Sequence, residues 1–230
     1  MNKIIVIEGT DCSGKETQSK LLIERLKKDN INIDYIDFPN YNSPTGKIIA
    51  GPYLGKNDMD ENGKRIYYEP LFNEGASNVD PKVSSLFYAA DRLYNMKEIK
   101  KKLENENLIF DRYSYSNMAH QGGKILDKKE RNKMYEWVDK LEFGLLELPH
   151  ADIKLFLHMP YQYVCNLKKN RKFVDQNEID ENHLKNAENA YIEVANKYDF
   201  KIIECVKNGL IRSIEDINEE IYQYVKQKIK

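Results

Sequence analysis

Short apolar runs alternate with stretches of helical spacing along the whole chain. The first run, Ile4-Ile5-Val6-Ile7, is apolar at consecutive positions, which is typical of a central strand buried on both faces. Similar runs predict further strands over residues 31–38, 108–110, 153–158 and 201–205. Apolar residues at helical intervals predict helices over residues 18–28, 47–54, 83–104, 127–143, 161–169, 182–198 and 214–228.

This alternation predicts the α/β fold class, with a five-stranded parallel sheet and helices on both of its faces in one domain over residues 1–230. Ligands of such sheets bind outside the carboxyl ends of the strands. Functional residues should therefore follow Ile7, Phe38, Phe110 and His158.

Two stretches interrupt the alternation. Gly51-Pro52 falls inside the predicted helix over 47–54 and should break it. Residues 55–81 are polar and lack a clear period, so we expect a long loop there, with one turn near Tyr67 and Tyr68. Loops of that length in a compact domain are usually functional or mobile.

Composition narrows the class of protein. The chain has 36 basic and 37 acidic residues, a formal charge of -1, which gives no general attraction to nucleic acid or to an anionic membrane. Its three cysteines, Cys12, Cys165 and Cys205, are too scattered for a disulfide framework or a zinc site. Neither a signal peptide nor an apolar stretch of ~20 residues is present in the sequence, so we expect a soluble cytoplasmic protein.

The strongest motif lies between the first strand and the first helix, where residues 9–17 read GTDCSGKET. This is the pattern and context of a P-loop, whose backbone N–H groups cradle phosphates at a helix N-terminus. Lys15 can reach the β- and γ-phosphates of a nucleoside triphosphate. The motif predicts a P-loop NTPase three-layer fold and a nucleotide site formed by Gly9, Thr10, Asp11, Cys12, Ser13, Gly14, Lys15, Glu16 and Thr17.

One position departs from the P-loop pattern. The residue after the lysine is normally Ser or Thr, whose hydroxyl binds Mg²⁺. Here it is Glu16, and Thr17 follows one place late. Because a carboxylate can also bind Mg²⁺, Glu16 is a candidate metal ligand, although it adds negative charge beside the triphosphate.

Several segments occur in the order typical of one family. They are VIEGTDCSGKETQ over 6–18, the Phe-Pro loop over 37–49, LFYAADR over 86–92, and DRY over 111–113 with Ser116 and Asn117 after it. With these segments the sequence resembles thymidylate kinase over nearly its whole length. The resemblance implies transfer of the γ-phosphoryl group of ATP to thymidine 5′-monophosphate (dTMP), for dTTP synthesis, with Mg²⁺ as the metal.

The resemblance also implies roles for individual residues. Lys15 binds the donor phosphates, and Asp11 meets the 3′-hydroxyl of the acceptor sugar. Tyr88 stacks on thymine and Arg92 bonds to its edge; residues four apart share one helix face and can contact one ligand. Arg112 holds the monophosphate, for which a guanidinium fork is suited.

The remaining candidates come from the same segments. Asp111 resembles the carboxylate that orients water on Mg²⁺, and Asn117 resembles the polar group that contacts the lower edge of thymine. Ser116 and Phe38 are further candidates for substrate binding. His120 stands where the family has an aromatic residue near the sugar.

Two departures from the family concern arginines. The Phe-Pro loop usually carries an arginine that touches the acceptor phosphate, and here the aligned residue is Tyr41. The lid is expected over about 167–180, and Arg171 is its single arginine. Because lysine lacks the planar fork of arginine, Arg171 is the candidate for stabilising charge in the transition state.

Two other functions remain open. A deoxynucleoside kinase shares the P-loop scaffold but phosphorylates a nucleoside, and loss of the arginine at Tyr41 favours it weakly, whereas Arg112 argues against it. Alternatively, Glu16 has weakened metal-dependent turnover and the chain is a nucleotide-binding protein. The family also implies a homodimer, paired through helices that include the one predicted over 83–104.

Overall fold

The computed structural model describes residues 2–10, 12–56, 58–59, 65–66, 68–69, 71–168 and 181–229, without the side chains of 58–59, 65–66 and 165–168. Asp11 lies outside the described residues. So does the greater part of the expected lid, with Arg171. The roles expected of these two residues therefore remain predictions.

A five-stranded parallel sheet forms the centre of the described part of the chain. Its strands are β1 (Ile4–Gly9), β2 (Ile33–Asp37), β5 (Asn107–Asp111), β6 (Ile153–His158) and β7 (Lys201–Glu204). They are ordered β2-β5-β1-β6-β7. All six residues of β1 are buried because this strand lies between two others and under helices on both faces. The predicted fold class and strand number are confirmed.

Helices cover both faces of this sheet. They are α1 (Lys15–Lys28), α2 (Pro44–Ile48), α3 (Pro81–Leu103), α4 (Ser114–Gly122), α5 (Lys128–Asp139), α6 (Tyr161–Lys168), α7 (Glu181–Lys197) and α8 (Ile214–Lys228). Within the described ranges, no helix has both the length and the apolar character needed to cross a membrane.

Alternate residues of the central strands supply the two sides of the core. Val6 and Phe110 pack with residues of α3, α4, α5 and α7 on one face. Ile5, Ile7 and Ile109 pack with α1 and α8 on the other face. Successive side chains of a strand point to opposite faces, which is why a wholly apolar run was needed at this position.

The helix α4 is absent from the sequence prediction. Eight of its nine residues are buried, so it has no polar face to produce a helical period. Two N–H groups at its N-terminal end are bonded by a residue of β1. Oε1 of Glu8 accepts from the backbone N–H of Tyr113 at 2.8 Å and of Ser116 at 3.0 Å. No capping residue next to the helix indicates its start in the sequence.

The predicted break at Gly51-Pro52 is wrong. The helix α2 begins at Pro44, where Ser43 caps it by accepting from the N–H of Gly46 at 2.9 Å. It then continues through a π-helical turn over Ile49–Tyr53. The proline is accommodated because the turn has already left the α-helical bonding pattern.

The segment 55–81 contains more regular structure than one turn. An antiparallel pair, β3 (Asp58–Met59) and β4 (Arg65–Ile66), lies in it, followed by a 3₁₀ turn over Ala76–Asn78. A second pair that the sequence prediction lacks, β8 (Val206–Lys207) and β9 (Leu210–Ile211), precedes α8. Strands of two residues are too short to give a periodic signal.

Candidate active site

The P-loop connects the end of β1 to the start of α1. Gly14 takes a left-handed backbone with φ 79°, and Cys12 takes one with φ 56°. A Cβ atom at Gly9 would lie 2.5 Å from Ser13 Oγ and 2.9 Å from the carbonyl oxygen of Leu157. Glycine is therefore required at position 9 by close approach and at position 14 by conformation.

Thr10 fixes the loop to the neighbouring strand. Its hydroxyl donates to the carbonyl of Met159 at 2.8 Å and accepts from the Met159 N–H at 3.0 Å. This reciprocal pair ties the first residue after β1 to the first residue after β6. The loop thus has an anchor that is independent of any phosphate.

The side chain of Lys15 lies within the loop. Its ammonium donates to the carbonyls of Gly9 at 3.0 Å and Thr10 at 3.1 Å, and the residue is buried. Ser13 Oγ is buried as well and makes no hydrogen bond within the described part of the chain. A cation and an unused hydroxyl at a helix N-terminus form a site suited to a phosphate group.

Glu16 and Thr17 are exposed on the first turn of α1. The Glu16 carboxylate pairs with Lys20 at 2.6 Å. It also faces Asp37, whose carboxyl has its pKa raised by burial and then by the charges of Asp111 and Glu16. The carboxylates of Glu16 and Asp111 therefore both lie near Asp37, at the carboxyl ends of β2 and β5.

Asp111 ends β5 as a buried carboxylate, and its Oδ2 accepts from the Tyr35 hydroxyl at 3.0 Å. No cluster of three or more His, Cys, Asp or Glu in the described residues is placed to hold a metal ion. Mg²⁺ usually binds proteins through one or two carboxylates, with water and substrate phosphates completing its shell. The pair Asp111 and Glu16 fits that donor set.

Arg112 lies directly beyond β5 in a left-handed conformation, with φ 66°. Its Nη1 donates to the Tyr191 hydroxyl at 2.9 Å and lies 3.2 Å from Nε2 of His120 and 3.5 Å from Ser116 Oγ. A non-glycine residue in this region costs of order 1–3 kcal/mol, and such strain is frequent at ligand sites. The structure thus brings three predicted residues, Arg112, Ser116 and His120, together.

Glu8 lies beneath this group. Its carboxylate is buried and also accepts from the hydroxyl groups of Ser116 and of Tyr191, the latter at 3.4 Å. Burial raises the pKa of Glu8, against the opposing effects of the Ser116 hydrogen bond and the Arg112 charge. Glu8 holds the start of α4 in place and supports the residues that surround Arg112.

Arg92 is 3% exposed and forms a buried ion pair. Its Nε and Nη2 donate to the carboxylate of Glu142 at 2.5 and 2.6 Å. Glu142 also accepts from Ser114 Oγ at 2.6 Å and from Asn117 Nδ2 at 2.8 Å. The ion pair does not use Nη1 of Arg92, so this nitrogen can still donate to a base. That contact stays a prediction.

Two amide side chains on α4 have buried acceptor oxygens. Oδ1 of Asn117 and Oε1 of Gln121 find no hydrogen-bond partner in the described part of the chain. The residues are four apart and so share one face of the helix. A buried, unsatisfied acceptor is costly, and two on one face indicate a place where a ligand or water donates.

The aromatic residues predicted to bind substrate lie in two environments. The ring of Tyr88 is half-buried and meets that of Tyr53 edge-on, with centroids 5.9 Å apart. Phe38 is buried in the core, at 5.6 Å from Phe110 and 5.9 Å from Tyr113. Its packing supports the Phe-Pro loop, and its substrate contact stays a prediction.

Tyr41, at the place of the expected arginine, has a cation beside it. The ammonium of Lys56 donates to the Tyr41 hydroxyl at 2.8 Å and lies 4.1 Å from the ring centroid. The same loop is fixed by Asp91, whose carboxylate accepts from Ser43 Oγ at 2.7 Å and from the Asn40 N–H at 2.8 Å.

Sequence reasoning missed three residues that organise the site. Glu142 gave a weak signal, a single glutamate inside an apolar stretch over 141–146. Asp91 lies within the segment over 86–92, and the resemblance implies no role for it. Tyr191 reads as a core residue of α7 because it follows the helix's apolar spacing.

Comparisons with known proteins agree with one another. The family model for thymidylate kinase matches residues 7–221. A probable thymidylate kinase of Methanocaldococcus jannaschii is 28% identical over 98% of this chain and 96% of its own. A probable thymidylate kinase of Thermococcus kodakarensis is 31% identical over 93% of this chain and 97% of its own.

A solved structure of similar fold supports the same assignment of architecture. Thymidylate kinase from Candida albicans superposes with a TM-score of 0.70 at 21% identity, over 98% of this chain and 92% of that one. The likeness in fold therefore covers more of the chain than the segments that carry the sequence motifs. From the match of the family model over most of its length, this chain belongs to the thymidylate kinase family.

Proposed function

We propose that this protein transfers the γ-phosphoryl group of ATP to dTMP, giving ADP and dTDP. The observation that carries the proposal is the register of two parallel strands. Ile7 of β1 pairs with Asp111 of β5, and the N–H of Arg112 donates to the Ile7 carbonyl at 3.1 Å. The phosphate loop and Arg112 therefore begin side by side at one edge of the sheet, as a donor and an acceptor phosphate require.

The reaction joins an oxygen of the dTMP phosphate to the γ-phosphorus of ATP. The bond from that phosphorus to the β,γ-bridging oxygen breaks, and ADP leaves with the electron pair. Such transfers depend on positioning and on neutralising negative charge. Lys15 and the loop N–H groups bind the donor phosphates, and Arg112 holds the acceptor phosphate.

Asp111 and Glu16 are the residues that would hold Mg²⁺. When bound, the ion neutralises charge on the donor phosphates and orients them. The chain's own contribution is the placement of these two carboxylates around Asp37, at the ends of β2 and β5. Tyr35 fixes one of them by its hydrogen bond to Asp111.

The base is expected between α3 and α4. Tyr88 offers a ring for stacking, and Arg92 offers Nη1 to a carbonyl oxygen of thymine. Asn117 Oδ1 and Gln121 Oε1 are acceptors for the N–H of the thymine ring. A pocket that presents both a donor and acceptors matches thymine, which carries two carbonyls and one N–H.

Several further assignments belong to this proposal. Asp11 would meet the 3′-hydroxyl, His120 and Ser116 would border the sugar and phosphate, and Arg171 would supply lid charge. On α3 the described apolar residues that are exposed support a homodimer; they are Val83, Leu86, Leu93 and Tyr94. A cytoplasmic location and independence from nucleic acid stay predictions.

A substrate panel tests the proposal. Purified protein with ATP and Mg²⁺ is offered dTMP, dUMP, dCMP and thymidine, and ADP is measured, with Lys15→Ala as the inactive control and Lys27→Ala on the same helix as the matched control. Turnover with dTMP that requires Lys15 supports the proposal. Turnover with thymidine alone would indicate a deoxynucleoside kinase, and nucleotide binding without turnover would indicate a non-catalytic protein.

A further inference from the structure

Glu142 collects four hydrogen bonds without contact with solvent. It is fully buried, and its two oxygens accept from Arg92, Ser114 and Asn117. It lies in a π-helical turn over Lys140–Leu145 that follows α5, an irregularity frequent at functional sites. A carboxylate that is buried without a role would be costly, since taking a charge out of water is strongly unfavourable.

The contacts of Glu142 determine which way the Asn117 amide faces. Nδ2 of Asn117 is held by Oε1 of Glu142 at 2.8 Å and by the carbonyl oxygen of Ser85 at 3.2 Å. Both are acceptors, so only the NH₂ end of the amide can occupy that position. The Asn117 oxygen is thereby left on the other side, where it is buried and unpartnered among the described residues.

The same carboxylate determines the direction of Arg92. Two of the three guanidinium nitrogens are bonded to Glu142, in the planar bidentate geometry that restricts rotation. Burial alone would lower the pKa of Arg92, and the Glu142 charge more than offsets this, so the arginine remains a cation and a donor.

We propose that Glu142 is the positioning residue that sets the hydrogen-bond polarity of the base pocket. It holds Arg92 as a donor and Asn117 as an acceptor, so the pocket accepts a pyrimidine with a carbonyl at C4 and an N–H at N3. Thymine and uracil carry that pattern. Cytosine carries the reverse, an amine at C4 and an acceptor at N3. This inference rests on the proposed function, since it requires the base to lie between α3 and α4.

Glu142→Gln is the first test, with Glu136→Gln as its matched control on α5, where Glu136 is exposed and pairs with Lys197. A glutamine at 142 can donate, so the Ser85 carbonyl is the one remaining acceptor of the pair, and the Asn117 amide can turn over and present NH₂ to the base. We expect the ratio of kcat/KM for dTMP to that for dCMP to fall about 100-fold, because lost and mismatched hydrogen bonds in a buried site have effects of this order or larger. The KM for ATP should not change.

A second measurement does not depend on a variant that folds. In the unaltered enzyme, dTMP, dUMP, dCMP and N3-methylthymidine 5′-monophosphate compete for binding in the presence of ADP. We expect dTMP and dUMP to compete, whereas the N3-methyl compound and dCMP bind at least about tenfold more weakly, as expected for loss of one hydrogen bond to a buried acceptor. Equal binding of the N3-methyl compound would overturn the inference.

The outcomes separate this inference from the proposed function. No turnover of dTMP by the unaltered enzyme would remove the proposed function. Turnover of dTMP with an unchanged dTMP-to-dCMP ratio in a folded Glu142→Gln variant would leave that function intact and overturn the role of Glu142. A merely structural role would lower activity on both nucleotides equally, which the ratio detects.

Discussion

Arg92 and Arg112 are proposed to contact the same substrate, but they differ in burial and in the groups that hold them. Arg92 is buried against a full carboxylate, Glu142, in a bidentate pair. Arg112 is half-buried, and the described groups that its Nη1 meets are the hydroxyls of Ser116 and Tyr191 and the imidazole of His120. The Arg92 guanidinium is held by a bidentate carboxylate, whereas Nη1 of Arg112 meets two hydroxyl groups and a ring nitrogen, and the Glu8 carboxylate is near enough for its pKa to respond to the Arg112 charge.

The difference indicates what each arginine can recognise. A guanidinium already paired with a carboxylate keeps its directional N–H donors but has little charge left for an anion, so it suits a neutral carbonyl. Arg112 is half-buried at the end of β5, beside the phosphate loop, and a guanidinium in that place can reach a phosphate. The comparison is consistent with the proposed contacts of Arg92 with the base and of Arg112 with the phosphate.

The largest effect should come from Arg112→Met. It removes the fork that holds the acceptor phosphate, and we expect kcat/KM for dTMP to fall about 10³-fold, because two charge-assisted hydrogen bonds are each worth roughly 2 kcal/mol. Steady-state kinetics with varied dTMP measures it. Arg25→Met, an arginine on α1 that pairs with Glu219, is the matched control. A variant with unchanged KM and kcat for dTMP would remove Arg112 from the phosphate site.

Arg92→Met should act mainly on stability. It leaves Glu142 buried without its counter-charge, and breaking a buried pair in this way costs about 3–5 kcal/mol. The double variant Arg92→Met/Glu142→Met removes both charges and should recover most of that loss, since an apolar pair of similar volume is often neutral or stabilising. Urea unfolding of the single and double variants measures the coupling.

The double variant also sharpens the comparison. It should fold but bind dTMP weakly, because neither the Arg92 donor nor the fixed Asn117 acceptor remains. Normal dTMP affinity in a stable double variant would show that the pair serves packing alone. Stability that does not recover would contradict the buried-pair argument.

The contrast between these arginines also marks the limit of sequence reasoning. The strand β1 and the helix α8 were predictable, since a continuous apolar run and an amphipathic period are local signals. Arg112 was found from its motif at a strand end. Glu142 was not, because it is fifty positions from Arg92 and only the folded chain brings the two together. The helix α4 was not predicted for a related reason. The residue that caps it, Glu8, is 105 positions away from Tyr113.

Lys124, a half-buried cation, extends the comparison. Its ammonium donates to the carbonyls of Ala76 and Val79, each at 2.9 Å, and to Ser84 Oγ at 3.2 Å. With carbonyls and a hydroxyl in place of a carboxylate, burial lowers its pKa to about 8. Arg92 keeps its charge because of Glu142, whereas Lys124 loses its proton more easily.

This lowered pKa predicts a pH dependence of stability. Between about pH 8 and the ordinary lysine value near 10.5, the unfolded chain binds more protons at this position than the folded protein. Its contribution to the free energy of unfolding therefore rises with pH across that window. Lys124→Met should remove this rise relative to the unaltered protein in urea unfolding at pH 8, 9 and 10, and Lys97→Met, an exposed lysine on α3, should not. Parallel curves for the unaltered protein and Lys124→Met would refute it.

The smallest effect is expected from Glu16→Thr. Glu16 is exposed and already paired with Lys20, so its replacement should leave the fold unchanged. Threonine restores the usual hydroxyl ligand and removes a negative charge beside Asp37, so Mg²⁺-dependent turnover should stay within about threefold of the unaltered enzyme or rise. The measurement is the Mg²⁺ dependence of kcat, with Glu24→Thr on the same helix as control. A collapse of activity would show that the metal requires the Glu16 carboxylate itself and that a hydroxyl at this position cannot replace it.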